Sequence, residues 1–255
     1  MAYELSKYKS TALGIVKSGK GCDTGRVTSK NLSRAEARTA QIATIKKVSR
    51  VLIASNGVSG LSLREVAREM GVVSSALYRY FATRDDLLTA LIFDAYNDLG
   101  ASVERSDAKA ELESAADRFR IAARTVRKWA KRHPNEYSLI YGTPVPNYVA
   151  PTTTIEAATR VPRVLSKILS DAQKVRRLPS RASAAEEVEE FLEVGAIEEV
   201  LVDVPKEMYV RALMSWNMIF GFLSFELYGH YVGSVRNANI MFEKVLDELV
   251  RLLEL

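Results

Sequence analysis

One cysteine and two histidines in 255 residues leave little material for metal or redox chemistry. A single thiol cannot pair within the chain, so a disulfide scaffold is excluded. Cys22 lacks thiol and imidazole neighbours at the close spacing of a zinc site, and His133 and His230 alone do not make a histidine-rich one. Proline is absent before Pro134, and β-rich alternating runs are absent throughout, which points to helix. Long apolar runs are missing too. The longest, Ala212 to Phe225, has 14 residues and is interrupted by Ser215, Asn217 and Ser224. A membrane span needs ~18 uncharged apolar residues. Lys7 and Lys9 are not followed by an apolar h-region, so no signal peptide is expected. The expectation is a cytoplasmic protein with no membrane contact. No Ser/His/Asp arrangement, Gly-rich phosphate loop or metal cluster is present. Neither an enzyme nor a cofactor is therefore expected.

What is present is ordinary in amount and uneven in placement. Apolar residues make up 47% and charged residues 26%, as in a globular protein with a sizeable core. Residues 1–90 carry a net charge of +8 and residues 91–255 a net charge of −3. A basic first third on a slightly acidic remainder suits a polyanionic partner, although basic residues can also be merely solvated. Within that third, residues 1–32 show no apolar periodicity, are punctuated by Gly14, Gly19, Gly21 and Gly25, and read as a disordered basic arm. Residues 186–207 hold the paired glutamates 186–187, 189–190 and 198–199, and read as a solvated acidic face.

Apolar spacing predicts an all-α protein. From Arg34 a helix runs through Ile42, Ile45, Val48 and Leu52 and closes at Asn56-Gly57. Further helices are expected at 63–69, 75–81, 84–105, 109–132, 135–141, 153–177, 184–200, 206–231 and 238–254. The segment 142–151 holds three prolines and a glycine and reads as a loop, and Pro162 is expected to kink or break its helix.

The segment Leu61 to Arg84, LSLREVAREMGVVSSALYRYFATR, has the pattern of a helix-turn-helix. Ser62 and Glu65 are spaced as a capping box. Leu63, Val66, Ala67 and Met70 share one face of a helix two turns long. Gly71 stands where a left-handed residue ends it, Val72 anchors the turn, and a second short helix begins near Ser74 or Ser75. Leu77 and Phe81 face the core, leaving Ala76, Tyr78, Arg79 and Tyr80 more exposed. Thr83 and Asp86 form a second capping pair opening the next helix, with Arg84 beside its N-terminus as a phosphate clamp. A purely structural three-helix bundle would share this pattern.

With these residues in view, 34–92 resembles the N-terminal domain of TetR-family transcriptional regulators. The likeness rests on the Gly57-to-Leu61 approach, the LSLREVA block, the Gly71-Val72 turn, Leu77-Tyr78-Arg79-Tyr80-Phe81 and Arg84-Asp85-Asp86-Leu87-Leu88. His133-Pro134-Asn135-Glu136-Tyr137, the segment GTPVPNYVAP, Trp216 and Glu226-Leu227-Tyr228-Gly229-His230 are similar to the WHG-type C-terminal domain of some members. Val73 departs from the Ser or Thr often found there, so Ser74 or Ser75 is expected to take over the cap. The resemblance implies a helix-turn-helix DNA-binding domain at 33–83 and a larger helical ligand-binding and dimerisation domain at 84–255, with 1–32 outside both. It implies that Ser74, Ser75, Ala76 and Arg79 face base edges and that Ser62, Arg64, Tyr78, Tyr80 and Arg84 meet phosphates. For Tyr80, packing against the first helix is the competing assignment. Double-stranded DNA with a palindromic operator, a small apolar ligand and a second copy of the chain are the implied partners, and repression is the implied mode.

The C-terminal body fits such a domain. Met208 to Tyr231 is apolar almost all round, with Tyr209, Leu213, Trp216, Phe220, Leu223 and Leu227 on one face and Met214, Met218, Phe222 and Phe225 on the other. A helix of that kind is expected to be buried on every side, one side against a second subunit. Met241, Val245, Leu249 and Leu252 offer a further stripe. Trp129, Tyr137, Tyr141, Trp216 and Phe220 are candidates for a ligand pocket, with Asn217, Glu226 and His230 as polar groups. Each aromatic could equally be plain core. The other reading of the whole chain is a small-molecule-binding or adaptor module whose helix-turn-helix is vestigial.

Overall fold

The computed structural model describes residues 33–176, 190 and 192–255. The basic segment 1–32 and most of the first half of the expected helix 184–200 lie outside the described residues. All the described secondary structure is helical. The helices are α1 (Arg34–Asn56), α2 (Leu63–Met70), α3 (Ser74–Tyr78), α4 (Arg84–Lys109), α5 (Ala115–Arg132), α6 (Pro134–Tyr141), α7 (Ile155–Arg176), α8 (Val194–Glu198), α9 (Tyr209–Leu227) and α10 (Ala238–Leu252). Short 3-10 turns at Val58–Gly60, Thr152–Thr154 and Lys206–Met208 precede α2, α7 and α9.

Several boundaries differ from the sequence pattern: α3 ends at Tyr78, α8 spans Val194–Glu198 among the described residues, and α9 is confined to Tyr209–Leu227. α4 continues to Lys109, and the next helix starts only at Ala115. The stop lies in the Ser114-to-Asp117 spacing. Ser114 Oγ accepts the Asp117 amide at 3.1 Å, which satisfies one of the amides left free at a helix start. At α7, Pro162 does not break its helix, which runs on over Ile155–Arg176. Pro134 occupies the first turn of α6, where its missing N–H costs no hydrogen bond.

Within the compact unit Thr39–Leu255 the apolar residues gather into two cores. The first joins Ile45, Leu52 and Ile53 of α1, Leu63, Val66 and Ala67 of α2, Leu77 of α3, Phe81, and Leu87, Leu88, Leu91 and Ile92 of α4. The second joins Ala95, Leu99 and Val103 of α4 to α5, α6, α7, α9 and α10, with Phe119, Tyr137, Ile168, Leu223, Phe242 and Leu249 among its most buried members. One α4 therefore serves both.

Charges inside the second core are paired. The Arg118 guanidinium of α5 donates to Asp107 Oδ1 at 2.8 Å and Oδ2 at 3.0 Å, and to Asp171 of α7 at 2.8 Å. The Arg118 and Asp107 side chains are only 7% and 6% exposed. Glu226 of α9 takes two hydrogen bonds from Arg127, at 2.7 and 2.8 Å, and one from Lys131 at 3.0 Å. Burial alone would raise its pKa, but these two cations hold it below the ordinary 4.5.

Removing one partner from a buried pair strands the other charge, so Arg118→Ala should cost about 3–5 kcal/mol in chemical denaturation. The Arg118→Ala/Asp107→Ala protein should lose less than the sum of the two single losses. Glu226, with its pKa depressed, stabilises the fold above the ordinary carboxylate range. That contribution disappears as the pH falls through 4.5 toward the folded value. Glu226→Gln should therefore flatten the loss of melting temperature on acidification, measured from neutrality to below that range.

Candidate functional site

The helix-turn-helix is held by local chemistry. Ser62 Oγ caps α2 by accepting the Glu65 amide at 3.1 Å. The expected return bond from Glu65 is not made, because the Glu65 carboxylate pairs with the Arg68 guanidinium one turn on. A charged partner outcompetes a neutral backbone amide. Gly71 ends α2 at φ 68° and ψ 27°, a conformation that L side chains rarely adopt, and Val72 donates back to the Ala67 carbonyl at 3.0 Å.

α3 opens differently from the expectation. Its N-cap is Val73, extended at φ −69° and ψ 140° and with no side-chain cap bond. Ser74 and Ser75 already lie inside the first turn, so neither replaces the cap. Val72 is exposed, and it ties the turn through its amide and not by burial of its side chain. The helix ends at Tyr78, leaving Tyr80 and Phe81 in the turn that follows. Leu77 and Phe81 point into the first core, as the spacing implied.

Opposite Leu77, the exposed residues of α3 and its end are Ser75, Tyr78 and Arg79. Positions i, i+3 and i+4 share one helical face. Arg64 on α2 is exposed as well, while Ser62, Ser74 and Ala76 are half-buried. Tyr80 is half-buried and packs against the first core, the competing assignment for that residue. Thr83 and Asp86 make both halves of a capping box, at 3.0 and 2.8 Å.

Arg84 is placed otherwise than a phosphate clamp requires. Its Nε donates to the Leu61 carbonyl at 2.9 Å and its Nη2 to the Val58 carbonyl at 3.1 Å, and its Nη1 lies 3.3 Å from Asp85. In the turn between α1 and α2 the Val58 carbonyl already accepts the Leu61 amide at 3.1 Å, and the guanidinium fork adds a second bond to it and one to the Leu61 carbonyl. Arg84 is a strut that fixes α4 beneath the helix-turn-helix.

In the second core, four of the expected ligand residues meet. Trp216 and Phe220 of α9 have ring centroids 4.1 Å apart, Tyr141 of α6 lies 4.4 Å from Phe220 and 6.2 Å from Trp216, and Tyr137 stacks on Phe220 at 6.4 Å. Tyr96 of α4, which periodicity did not single out, closes the cluster edge-on to Tyr141 at 6.0 Å. Its signal in the sequence was no more than an aromatic residue within the helix expected at 84–105. Burial pushes the Tyr137 phenol up to about 12. Its hydroxyl donates to the Phe220 carbonyl at 3.0 Å and meets Ser224 Oγ at 3.0 Å.

The other four, Trp129, Asn217, Glu226 and His230, stand apart. Trp129 Nε1 donates to Asp98 of α4 at 2.7 Å, and its ring lies on His133 at 5.3 Å. Asn217 is exposed. His230 is exposed too, with its ring 5.0 Å from Phe225. Glu226 is committed to Arg127 and Lys131. A separate open groove of about 560 Å³ runs between α4 and α7, past Phe93, Asn97, Arg163, Val164 and Lys167. Within it Arg160 is pinned by Glu104 and Asn97.

α9 is not buried on every side. Met214 and Phe225 are 46% and 52% exposed, Met218 and Gly221 are exposed beside them, and Ile240 and Met241 of α10 are exposed too. Phe222 turns inward, where it packs on Phe242 at 5.0 Å. Among the described residues no helix is long and apolar enough to cross a membrane.

This architecture, a capped helix-turn-helix on a long shared helix followed by a larger helical body, is that of a known class of regulators. Residues 45–91 match the family described as bacterial regulatory proteins, tetR family, and residues 119–249 match the tetracyclin repressor-like C-terminal domain. The chain belongs to the TetR family of transcriptional regulators, with a DNA-binding helix-turn-helix. It is 44% identical over 141 residues to the HTH-type transcriptional regulator Rv1816 of Mycobacterium tuberculosis, a match covering 55% of this chain and 58% of that protein. The chain thus spans little more than half the length of the curated relatives it matches. The crystal structure of a regulatory protein, SCO4313, shares 32% identity at a TM-score of 0.71, covering 86% of this chain and 99% of that one. A protein with unknown function from Rhodococcus sp. RHA1 shares the fold at 23% identity and a TM-score of 0.63, covering 82% of this chain and 93% of that one.

Arg84→Ala removes two hydrogen bonds to buried-side carbonyls and should destabilise the protein by about 1–3 kcal/mol. As a strut it should leave the salt dependence of DNA binding almost unchanged. A slope reduced by about one counterion would instead identify a phosphate contact.

Proposed function

We propose that the protein is a dimeric repressor that leaves a palindromic operator when a small apolar ligand binds. The observation that carries this is the exposed face of α3, where Ser75, Tyr78 and Arg79 stand opposite a buried Leu77. An Arg on such a face suits guanine in the major groove, Ser74 and Ser75 suit either base, and the Ala76 methyl suits thymine. Tyr78, Arg64 and Ser62 border that face and are assigned to phosphates; Tyr80 and Arg84 support it from within. Residues 33–83 form the reading domain and 84–255 the ligand and dimer domain.

The dimer forms through the open apolar face of α9 and α10. Met214, Met218 and Phe225, with Ile240 and Met241, are apolar surface of the kind a second subunit covers, and Gly221 allows close backbone approach. Two α3 helices then occupy successive major grooves about one helical turn apart. The ligand site is the cluster of Tyr137, Tyr141, Trp216 and Phe220. A ligand releases DNA only by preferring the conformation in which the two α3 helices no longer match the groove spacing.

The test is selection of bound duplexes from a random pool at two salt concentrations. A palindrome that survives the higher salt is the expected result. No motif, with binding lost at the higher salt, would reduce the protein to a basic surface on a helical adaptor. On the selected operator, Arg79→Ala should cost about 1–3 kcal/mol and relax the preference at one base pair of each half-site. Equal weakening on all sequences would reassign Arg79 to a phosphate.

A further inference from the structure

The aromatic cluster holds three phenols, and their hydroxyls are not treated alike. Tyr96 donates to the Ile140 carbonyl at 3.2 Å, and Tyr137 donates to the Phe220 carbonyl at 3.0 Å. Tyr141 lies between them. Its hydroxyl is buried and has no hydrogen-bond partner. Buried polar groups are nearly always paired, and leaving a donor unpaired is costly, so such an exception needs a reason.

The surroundings define what could pair with it. Trp216 and Phe220 stand against the Tyr141 ring at 6.2 and 4.4 Å, and Tyr96 and Tyr137 at 6.0 and 5.4 Å. The groups that act on its ionisation besides burial are these two tyrosines, not a cation, and burial pushes its phenol well above the usual range. The hydroxyl therefore stays protonated and remains a donor, and nothing at hand would balance an anion. Tyr141 and Trp216 are only half-buried as whole residues, so the cluster reaches the surface at its edge.

We propose that Tyr141 is the polar contact of the ligand site, and that the site takes a neutral, ring-bearing apolar molecule presenting one hydrogen-bond acceptor, such as a ketone carbonyl, to the Tyr141 hydroxyl. This rests on the reading of the cluster as the ligand site and adds the chemistry of the ligand. Trp216 and Phe220 supply the ring contacts. Specificity comes from the single donor, because a site built around an unpaired polar group discriminates against a ligand that leaves it unpaired.

The experiment uses the full chain, wild type and Tyr141→Phe, with matched probes. Acetophenone, acetylnaphthalene and acetylbiphenyl are each compared with the hydrocarbon that carries an isopropyl group in place of the acetyl group. Binding is measured by calorimetry, and melting temperature is measured without probe. Wild type should hold at least one ketone about 5- to 30-fold more tightly than its hydrocarbon match, and Tyr141→Phe should bind the two alike. Without probe, Tyr141→Phe should melt no lower than wild type, since it loses no bond. Hydrocarbon and ketone binding equally to wild type, or a Tyr141→Phe protein that melts markedly lower, would overturn the role of Tyr141 and leave the ligand site standing. No binding of any probe, or binding unchanged by Trp216→Ala, would overturn the ligand site and the proposal together.

Discussion

α4 is the constraint on which the rest of the structure depends. Its 26 residues make a rod of about 39 Å. Leu87, Leu88, Leu91 and Ile92 belong to the core under the helix-turn-helix, and Ala95, Leu99 and Val103 belong to the core of the larger body. The rod is fixed at three levels. Near its start stand the Thr83–Asp86 capping box and the Arg84 strut. In the middle Asp94 takes Lys46 and Arg50 of α1, each at 2.8 Å. Near its end Asp107 takes Arg118. The orientation of α3 is thereby tied to the packing of residues far from it in sequence.

α3 itself contributes little to its own order. Five residues without a side-chain cap do not hold a helix in water. Leu77 and Phe81, locked into the first core, set its position, and the polar residues Ser75, Tyr78 and Arg79 stand exposed on its outer face. Division of labour within a short segment explains why a surface so polar can be so well placed. It also explains why Arg84, beside that surface, is occupied with main-chain carbonyls: rigidity there depends on contacts beneath α3.

Most of the helical order was legible from apolar spacing, because amphipathic helices around a core repeat their buried positions. Leu63, Val66, Ala67, Leu77 and Phe81 were readable this way. So were the stop at Gly71 and the cap at Thr83, where one residue type answers one local need. Legibility failed where two partners competed. Glu65 could return to Ser62 or pair with Arg68, and Arg84 could reach outward or back to Val58 and Leu61. Only folded geometry ranks such choices. The grouping of Tyr137, Tyr141, Trp216 and Phe220 was readable as candidates, but Tyr96 joined them and Trp129, Asn217, Glu226 and His230 did not. Which aromatic rings from separate helices converge is a tertiary fact, invisible to the period of any one helix.

α6 adds a restriction of another kind. Its Tyr137 and Tyr141 belong to the aromatic cluster, Leu139 packs against the core beneath the helix-turn-helix, and Ile140 packs against both cores. Each residue turns a helix by about 100°, so adding or deleting one residue within its eight would swing the side chains beyond it off their places in both cores at once. The helix therefore tolerates substitution at fixed length, whereas a change in length is accommodated only in the loop that follows, where 142–151 carries no helix.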